Sequence, residues 1–525
     1  GLAWIDVSTG EYALTEPDDP ASLLAEITRI AAREILISED FFDSELRVEL
    51  EAGAPARWTT VPHRSFSLAA AKESLESLFS VRGLDGLGLG GANVGLQAAG
   101  AIIEYLRSSH IDALGHVRRP KHVQLNSFMT LDENARRNLE VFRTLSEGKR
   151  KGSLLGLMDR ATTSMGSRRV RRWLGAPLLD PTAINARLDA VDVLVRSGAL
   201  RSALEERLAL VHDVERLNSK VTSGRANAKD LVALSRSLGQ VPALDVLLDR
   251  EDARSLEVFS PLPDLSALAN EIEGCLVDEP PLALKEGGLI RQGYHAELDE
   301  LVALSKEGKG ALLRLEAEER KKTGIASLKV RYNRVFGYYI EVTKANLKHV
   351  PDHYIRKQTL ANAERYYTPE LKDFEAKILG AEERRGSLEF ELFEELRVQV
   401  AQAAPQLAQL ADRLADIDAV LCFAGLAVDY SYVRPEVDDS EVLELVASRH
   451  PVIERMPLGE RFVPNDVLLD REEHQLLIVS GPNMAGKSTV MRQVALCALM
   501  AQAGSFVPAE RARVASNVTP DAPFT

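Results

Sequence analysis

Cysteine is nearly absent. Cys275, Cys422 and Cys497 are the only three in 525 residues, they lie far apart, and no two form a C-x-x-C pair. That pattern argues against a disulfide framework or a cysteine zinc site and for a reducing compartment. Aromatic residues make up only 6% of the chain. No apolar run approaches the roughly 20 residues needed to span a bilayer, no signal peptide is visible, and the first residue is not Met. Positive charge is in deficit: 64 Lys and Arg against 78 Asp and Glu leave a net charge of −14. A nucleic-acid-binding surface therefore has to be local. Hydrophobic residues (45%) and charged ones (27%) are in globular proportion, and the length exceeds one ordinary core, so two to four domains are expected.

The most informative stretch is HQLLIVSGPNMAGKSTVMRQ, residues 474–493. Leu476, Leu477, Ile478 and Val479 read as a short strand buried on both faces. Gly481 through Ser488 then fit G-x-x-x-x-G-K-[ST], and an apolar helical pattern follows (Val490, Val494, Leu496, Leu499). In such a loop the backbone N–H groups wrap phosphates, Lys487 reaches the outer phosphates and the Ser488 hydroxyl binds Mg²⁺. The helix N-terminus adds partial positive charge. The candidate nucleotide-binding residues are Gly481, Pro482, Asn483, Met484, Ala485, Gly486, Lys487, Ser488 and Thr489.

The remainder of the chain reads as several domains. Residues 1–16 alternate and turn at Ser8–Gly10, a β-hairpin, and a helix (20–33), a strand (Glu34–Ser38) and helices (68–80, 91–107) follow. From about 111 to 320 the pattern is helical almost throughout. TLDENARRNLEVF (130–142) opens on a Thr or Asp cap. The segment 165–180 carries Arg168, Arg169, Arg171 and Arg172; a helix packing Val170, Trp173 and Leu174 inward explains it better than a DNA-binding patch does. Apolar residues stepping by 3 and 4 from Leu298 to Leu315 and from Leu396 to Leu421 predict two long paired helices, the second with a candidate kink at Pro405.

Between these helices, 328–344 alternates and predicts strands with a turn near Gly337. Residues 328–368 hold eight Lys or Arg against three acids, +5 in a chain of −14. The candidate DNA-backbone contacts are Lys329, Arg331, Asn333, Arg334, Lys344, Arg356, Lys357, Gln358, Asn362 and Arg365, with Thr359 as a further neutral donor. Two patterns are set aside. GLDGLGLGG (83–91) lacks the preceding strand of a dinucleotide site, and His349 and His353 are separated by Val350-Pro351-Asp352, which spoils a helical metal pair.

The loop GPNMAGKST followed by MRQVALCALMAQAGSFVPA resembles the ATPase of the MutS family of DNA mismatch-repair proteins, and RPEV (434–437), SRHPVIE (448–454) and RFVPND (461–466) match the same family in order. WIDVSTGEY resembles its connector domain; FGYYIEVTK and QTLANAERYYTPELK resemble its clamp. The resemblance implies a multidomain α and α/β protein. Its parts would be an α/β connector (1–110), a mostly helical core with lever helices (111–305 and 385–430), a β-rich clamp insert at the lever tips (306–384) and the start of a P-loop ATPase domain (431–525). It also implies a DNA-dependent ATPase that clamps double-stranded DNA as a homodimer, works with a MutL-type partner and sits in the bacterial cytoplasm at the nucleoid. Asn483 would then lie near the γ-phosphate and Phe462 beside the adenine.

Two family features are not found. No Phe-x-Glu wedge domain precedes Gly1, and no apolar strand ending in acidic residues follows Ser488, so this chain is expected to be a fragment that does not hydrolyse ATP alone. A MutS relative that clamps DNA junctions or scaffolds other proteins without reading mismatches is the alternative. A transporter or chromosome-condensing ATPase fits poorly, since a β insert between long helices precedes the loop.

Overall fold

The computed structural model describes every residue except 55, 82, 85–88, 90–92, 110–113, 116, 251, 254–255, 283, 285–286, 334–336, 457–461, 483–485 and 517–525, and the side chains of 306–309. The chain forms two compact units. One comprises Gly1–Arg225, Ala233–Ala269 and Val400–Thr525; the other comprises Ala226–Val232 and Asn270–Gln399.

In the first unit, β1 (Leu2–Asp6) and β2 (Glu11–Thr15) pair antiparallel with Asp6 opposite Glu11. The turn is the expected one: the Asp6 carboxylate accepts from the Ser8 N–H (2.8 Å) and hydroxyl (2.7 Å), and Gly10 supplies the positive φ of +74°. Tyr12 and Leu14 of β2 are buried with Leu75, Leu96 and Ile103 from the helices Leu68–Phe79 and Asn93–Ser108. The Tyr12 hydroxyl stays satisfied by donating to the Ala99 carbonyl at 2.6 Å. β3 (Glu34–Ser38), at the predicted position, pairs in parallel with β4 (Arg57–Val61) in a separate sheet. β5 (Lys121–His122) extends the first sheet beside β2.

The segment 130–142 forms only a six-residue helix, Glu133–Asn138, capped by Asp132. The arginine-rich helix spans Ser164–Gly175 and buries Val170, Trp173 and Leu174, as its spacing predicts. Its N-terminus is tied down from far away in sequence. The Asp418 carboxylate accepts from the N–H of Thr162 and Thr163 and from the Thr163 hydroxyl at 2.6–3.0 Å. Trp173 packs on Phe423 with centroids 5.9 Å apart.

One expectation about hydropathy needs correction. Ala228–Leu248 is long and apolar enough, by length and composition, to cross a membrane. It is interrupted, forming helices Ala228–Leu238 and Val241–Leu248 whose Leu231, Leu234, Leu238, Val241, Leu244 and Leu248 are buried, so its apolarity is that of protein core.

The second unit holds helix Ala296–Thr323, four strands and most of helix Pro369–Gln402. β6 (Lys329–Asn333), β7 (Gly337–Thr343), β8 (Ile355–Thr359) and β9 (Ala363–Tyr367) form an antiparallel sheet in the order β6-β7-β9-β8. One face of this sheet supplies Ile340, Val342 and Tyr366 to a core with Leu312 and Leu315 of the first helix and Leu371 and Ile378 of the second. Glu319, on Ala296–Thr323, is buried but paired: it accepts from the Tyr354 hydroxyl (2.6 Å) and Lys322 (2.9 Å). Gly337 has a φ of +69°, and a Cβ there would meet the Glu375 carboxylate, so the turn predicted near it needs glycine.

The second seam, Leu396–Leu421, is not one helix. Pro369–Gln402 ends and Ala404–Tyr430 begins with Pro405 in its first turn. Proline has no N–H to donate and clashes with the carbonyl a turn earlier, but is tolerated where a helix starts. The predicted kink is thus a full break.

Returning to the first unit, β10 (Glu436–Asp438), β11 (Leu443–Ser448), β12 (Asn465–Leu469) and β13 (Arg511–Ala515) form a sheet in the order β10-β13-β11-β12. Helix Lys487–Gln502 buries Leu496 through Gln502.

Candidate nucleotide loop and nucleic-acid interface

The loop residues are only partly organised as the motif predicts. Gly486 adopts a left-handed conformation (φ +89°) and caps helix Lys487–Gln502 without a side-chain hydrogen bond. The N–H groups of that first turn are therefore not claimed by a side-chain cap, which suits an anion. The Lys487 ammonium turns back into the loop, donating to the carbonyl of Gly481 and, at 2.9 Å, to that of Pro482. Ser488 is exposed and Thr489 half-buried. Asn483, Met484 and Ala485 lie outside the described residues. Phe462 is half-buried three residues before β12.

The strand expected before the loop is not formed. Leu476–Val479 has no strand conformation and is 80, 52, 81 and 37% exposed in sequence order. Strands exist by pairing, and none of the four in this sheet takes 476–479 as a neighbour.

The helix after the loop is anchored by residues that the sequence offered only as a family string. The buried Gln493 amide donates to the Ser448 hydroxyl at 2.5 Å, which in turn donates to the Asn465 carbonyl at 2.9 Å. Gln502 donates to the Ser516 carbonyl at 2.7 Å. His450 is buried, accepts at Nδ1 from the N–H of Val452 and Ile453 (3.3 and 3.2 Å), and is pushed down to about 4 by burial and then by Arg492. Arg449 meets Glu454 at 2.8 Å. SRHPVIE is thus a mortise between helix and sheet, and only the string Ser448-Arg449-His450-Pro451 could have hinted at it.

The basic insert is a different case. Lys329 and Arg331 alternate on β6, and so share the face opposite the core, where both are exposed. Lys357 is exposed on edge strand β8, its ammonium 5.4 Å from the Tyr367 ring. Lys344 and Asn362 are exposed and adjacent, the Lys344 N–H donating to the Asn362 carbonyl. Arg356 is 64% exposed, with Glu364 a distant 3.9 Å away. Tyr332, 47% exposed, packs on Tyr338. Arg334 lies outside the described residues. Asn333 is half-buried at the end of β6.

Arg365 and Gln358 do not belong with these. The Arg365 guanidinium lies 4.2 Å over the Tyr339 ring, donates to Gln358 Oε1 at 2.8 Å and faces Glu341 at 3.5 Å. It holds three strands together, with its side chain only 17% exposed. Sequence counting could not separate it from its exposed neighbours, because its partners come from cross-strand register.

Comparison with known proteins identifies the family. The family models MutS domain II, MutS domain III and MutS domain V match residues 1–118, 134–424 and 477–519. Among curated relatives, a DNA mismatch repair protein MutS of Myxococcus xanthus is 48% identical over 98% of this chain and 58% of its own length. Those of Symbiobacterium thermophilum and Anaeromyxobacter dehalogenans are 46 and 47% identical, each over 98% of this chain and 59% of the relative. The chain therefore spans somewhat under two thirds of the proteins it matches. A domain III match covering more than half of the sequence, flanked in order by domains II and V, places this chain in the MutS family of DNA mismatch-repair proteins.

Proposed function

We propose that this chain is the DNA-gripping and nucleotide-holding part of a mismatch-repair ATPase. The observation that carries the reading is the contrast in the β insert: in an acidic chain, Lys329, Arg331 and Lys344 are exposed with no ion pair among the described residues. Such a face suits the phosphates of double-stranded DNA, and phosphate contacts grip without reading sequence. Helices Ala296–Thr323 and Pro369–Gln402, which sandwich the insert's core, would serve as the levers that report its position.

The loop Gly481–Thr489 would hold ATP or ADP. Lys487 would exchange its loop carbonyls for the outer phosphates, Asn483 would approach the γ-phosphate and Phe462 the adenine. Mg²⁺, held through the nucleotide and the Ser488 hydroxyl, would neutralise phosphate charge. The uncapped helix start and the inward-turned Lys487 ammonium fit such an anion. By resemblance to the MutS family, a homodimer and a MutL-type partner, in the bacterial cytoplasm, complete the reading.

Calorimetric titration with Mg-ATP tests the loop: Lys487→Ala should weaken binding about tenfold or more, the loss of a charge-assisted interaction worth roughly 1.5–3 kcal/mol. Equal affinities would overturn the assignment.

A further inference from the structure

Within the first unit, a cavity of about 310 Å³ lies between the N-terminal sheet and the arginine-rich helix. Eight arginine or lysine side chains line it, against two carboxylates, Glu11 and Glu26. Four of these cations are held in ion pairs. Arg29 pairs with Glu26, Arg172 with Glu11, and Arg118 and Arg169 share Asp412 from just outside the lining.

Arg136 has no carboxylate in direct contact, although Glu26, Asp132 and Glu133 act on it from a distance. It is 8% exposed, its Nε has no hydrogen-bond partner, and its one hydrogen bond is a long 3.3 Å contact from Nη1 to the Ala25 carbonyl. Burial, with Arg29 close by, pushes its guanidinium down to about 10. Arg187 is in a similar position: it lies 4.0 Å over the Trp173 ring and gives a single 3.2 Å hydrogen bond to the Ala503 carbonyl. Burial pushes it, too, down to about 10, and the carboxylate that acts on it, Asp416, already meets Arg169 at 2.9 Å. A buried guanidinium with no carboxylate in direct contact is costly, and one so placed at a cavity wall is a site for an anion. The remaining wall is mostly apolar, with Trp4, Val123, Phe128 and Leu131 beside the hydroxyl-bearing Ser22 and Thr130. The volume is at the small end of ligand pockets.

We propose that this cavity binds a small phosphorylated molecule with an apolar or aromatic body, of mononucleotide size, its phosphate anchored by Arg136 and its body set against the Trp4 and Phe128 side. Arg187 and Lys121 face the same space and supply further positive charge. The site is separate from the Gly481–Thr489 loop, whose residues do not line the cavity. A ligand here would bridge segments 1–30, 118–136 and 169–187, and would stabilise the N-terminal sheet against the helical core.

The test uses the 525-residue chain carrying Lys487→Ala, so that the loop does not obscure the result. Calorimetry with 2′-deoxyadenosine 5′-monophosphate should show one site per chain. Adding Arg136→Met should weaken binding about tenfold or more, as expected when a charge-assisted phosphate interaction is removed. Inorganic phosphate should compete for the same site but bind more weakly, because it leaves the apolar wall unused. Circular dichroism reports whether Arg136→Met folds; Lys121→Ala, at an exposed position, gives a second variant that leaves the core intact and should weaken binding less. No binding of either probe at millimolar concentration, or affinity unchanged in both variants, would overturn the proposal.

Discussion

Two stretches of this chain are rich in basic residues, and the fold treats them in opposite ways. In the Ser164–Gly175 helix, Arg168 grips Asp213 with two nitrogens at 2.7–2.9 Å and also meets Glu215. Arg169 meets Asp412 and Asp416, Arg172 meets Glu11, and Arg171 lies 4.7 Å over the Phe142 ring. In the β insert, Lys329, Arg331 and Lys344 have no ion pair among the described residues. Local charge density therefore does not locate a phosphate-binding surface. What decides is whether the fold brings carboxylates to the cations, and here they arrive from positions 11, 213, 215, 412 and 416, invisible to a local reading.

The sharpest way to break this comparison is to remove a matched arginine. Arg169→Ala leaves Asp412 with Arg118 alone and leaves Asp416, which Arg187 and Arg413 act on only at a distance, without an ion pair, and should cost about 3–5 kcal/mol in urea unfolding of the chain. A loss below about 1 kcal/mol would mean that the pairs are ornamental and that the helix could release its arginines to a ligand.

His450 shows a third fate for a basic side chain, burial in neutral form. The unfolded imidazole takes up a proton as pH falls through about 6.5, whereas the folded one resists until about 4. Stability is thus fully present above pH 6.5 and declines between there and pH 4, by up to ~3 kcal/mol. His450→Asn, whose side-chain oxygen can still accept from the Val452 and Ile453 N–H groups, should flatten the decline. Parallel pH–stability curves for parent and variant would refute it.

A smaller effect is expected at the exposed cations. Lys329→Ala, Arg331→Ala and Lys344→Ala should each change stability by no more than about 0.5 kcal/mol, as surface positions do. A larger loss in thermal melts would reveal hidden partners and erase the contrast.

Much of this is legible in the sequence, for identifiable reasons. The N-terminal hairpin, the strand at 34–38 and the inward face of Val170, Trp173 and Leu174 follow from local period and turn chemistry, and the structure has them. The strand expected at 476–479 does not form, because apolar composition records a tendency to be buried, whereas strand formation depends on neighbours. Pro405 divides two helices where the continuous apolar seam around it suggests one helix with a kink. In the candidate interface, alternation correctly puts Lys329 and Arg331 on one face, but the removal of Arg365 and Gln358 from that face depends on pairing across strands. The loop is legible as a motif, whereas its anchoring through Ser448, His450 and Gln493 requires the fold.

The central claim, that exposed and unmatched cations of the insert bind DNA while the matched helix does not, is tested most directly by the salt dependence of duplex binding. Affinity for one matched duplex is measured from low to moderate salt for the parent, for the combined Lys329→Ala, Arg331→Ala and Lys344→Ala variant, and for Arg172→Ala, whose side chain is the most exposed of the ion-paired arginines in the helix. Removing one cation from a phosphate should flatten the log–log slope by about 0.9, so the triple variant should bind more weakly with a slope shallower by up to about 2.7, and Arg172→Ala should match the parent. An unchanged slope in the triple variant, with a flattened one in Arg172→Ala, would contradict the account.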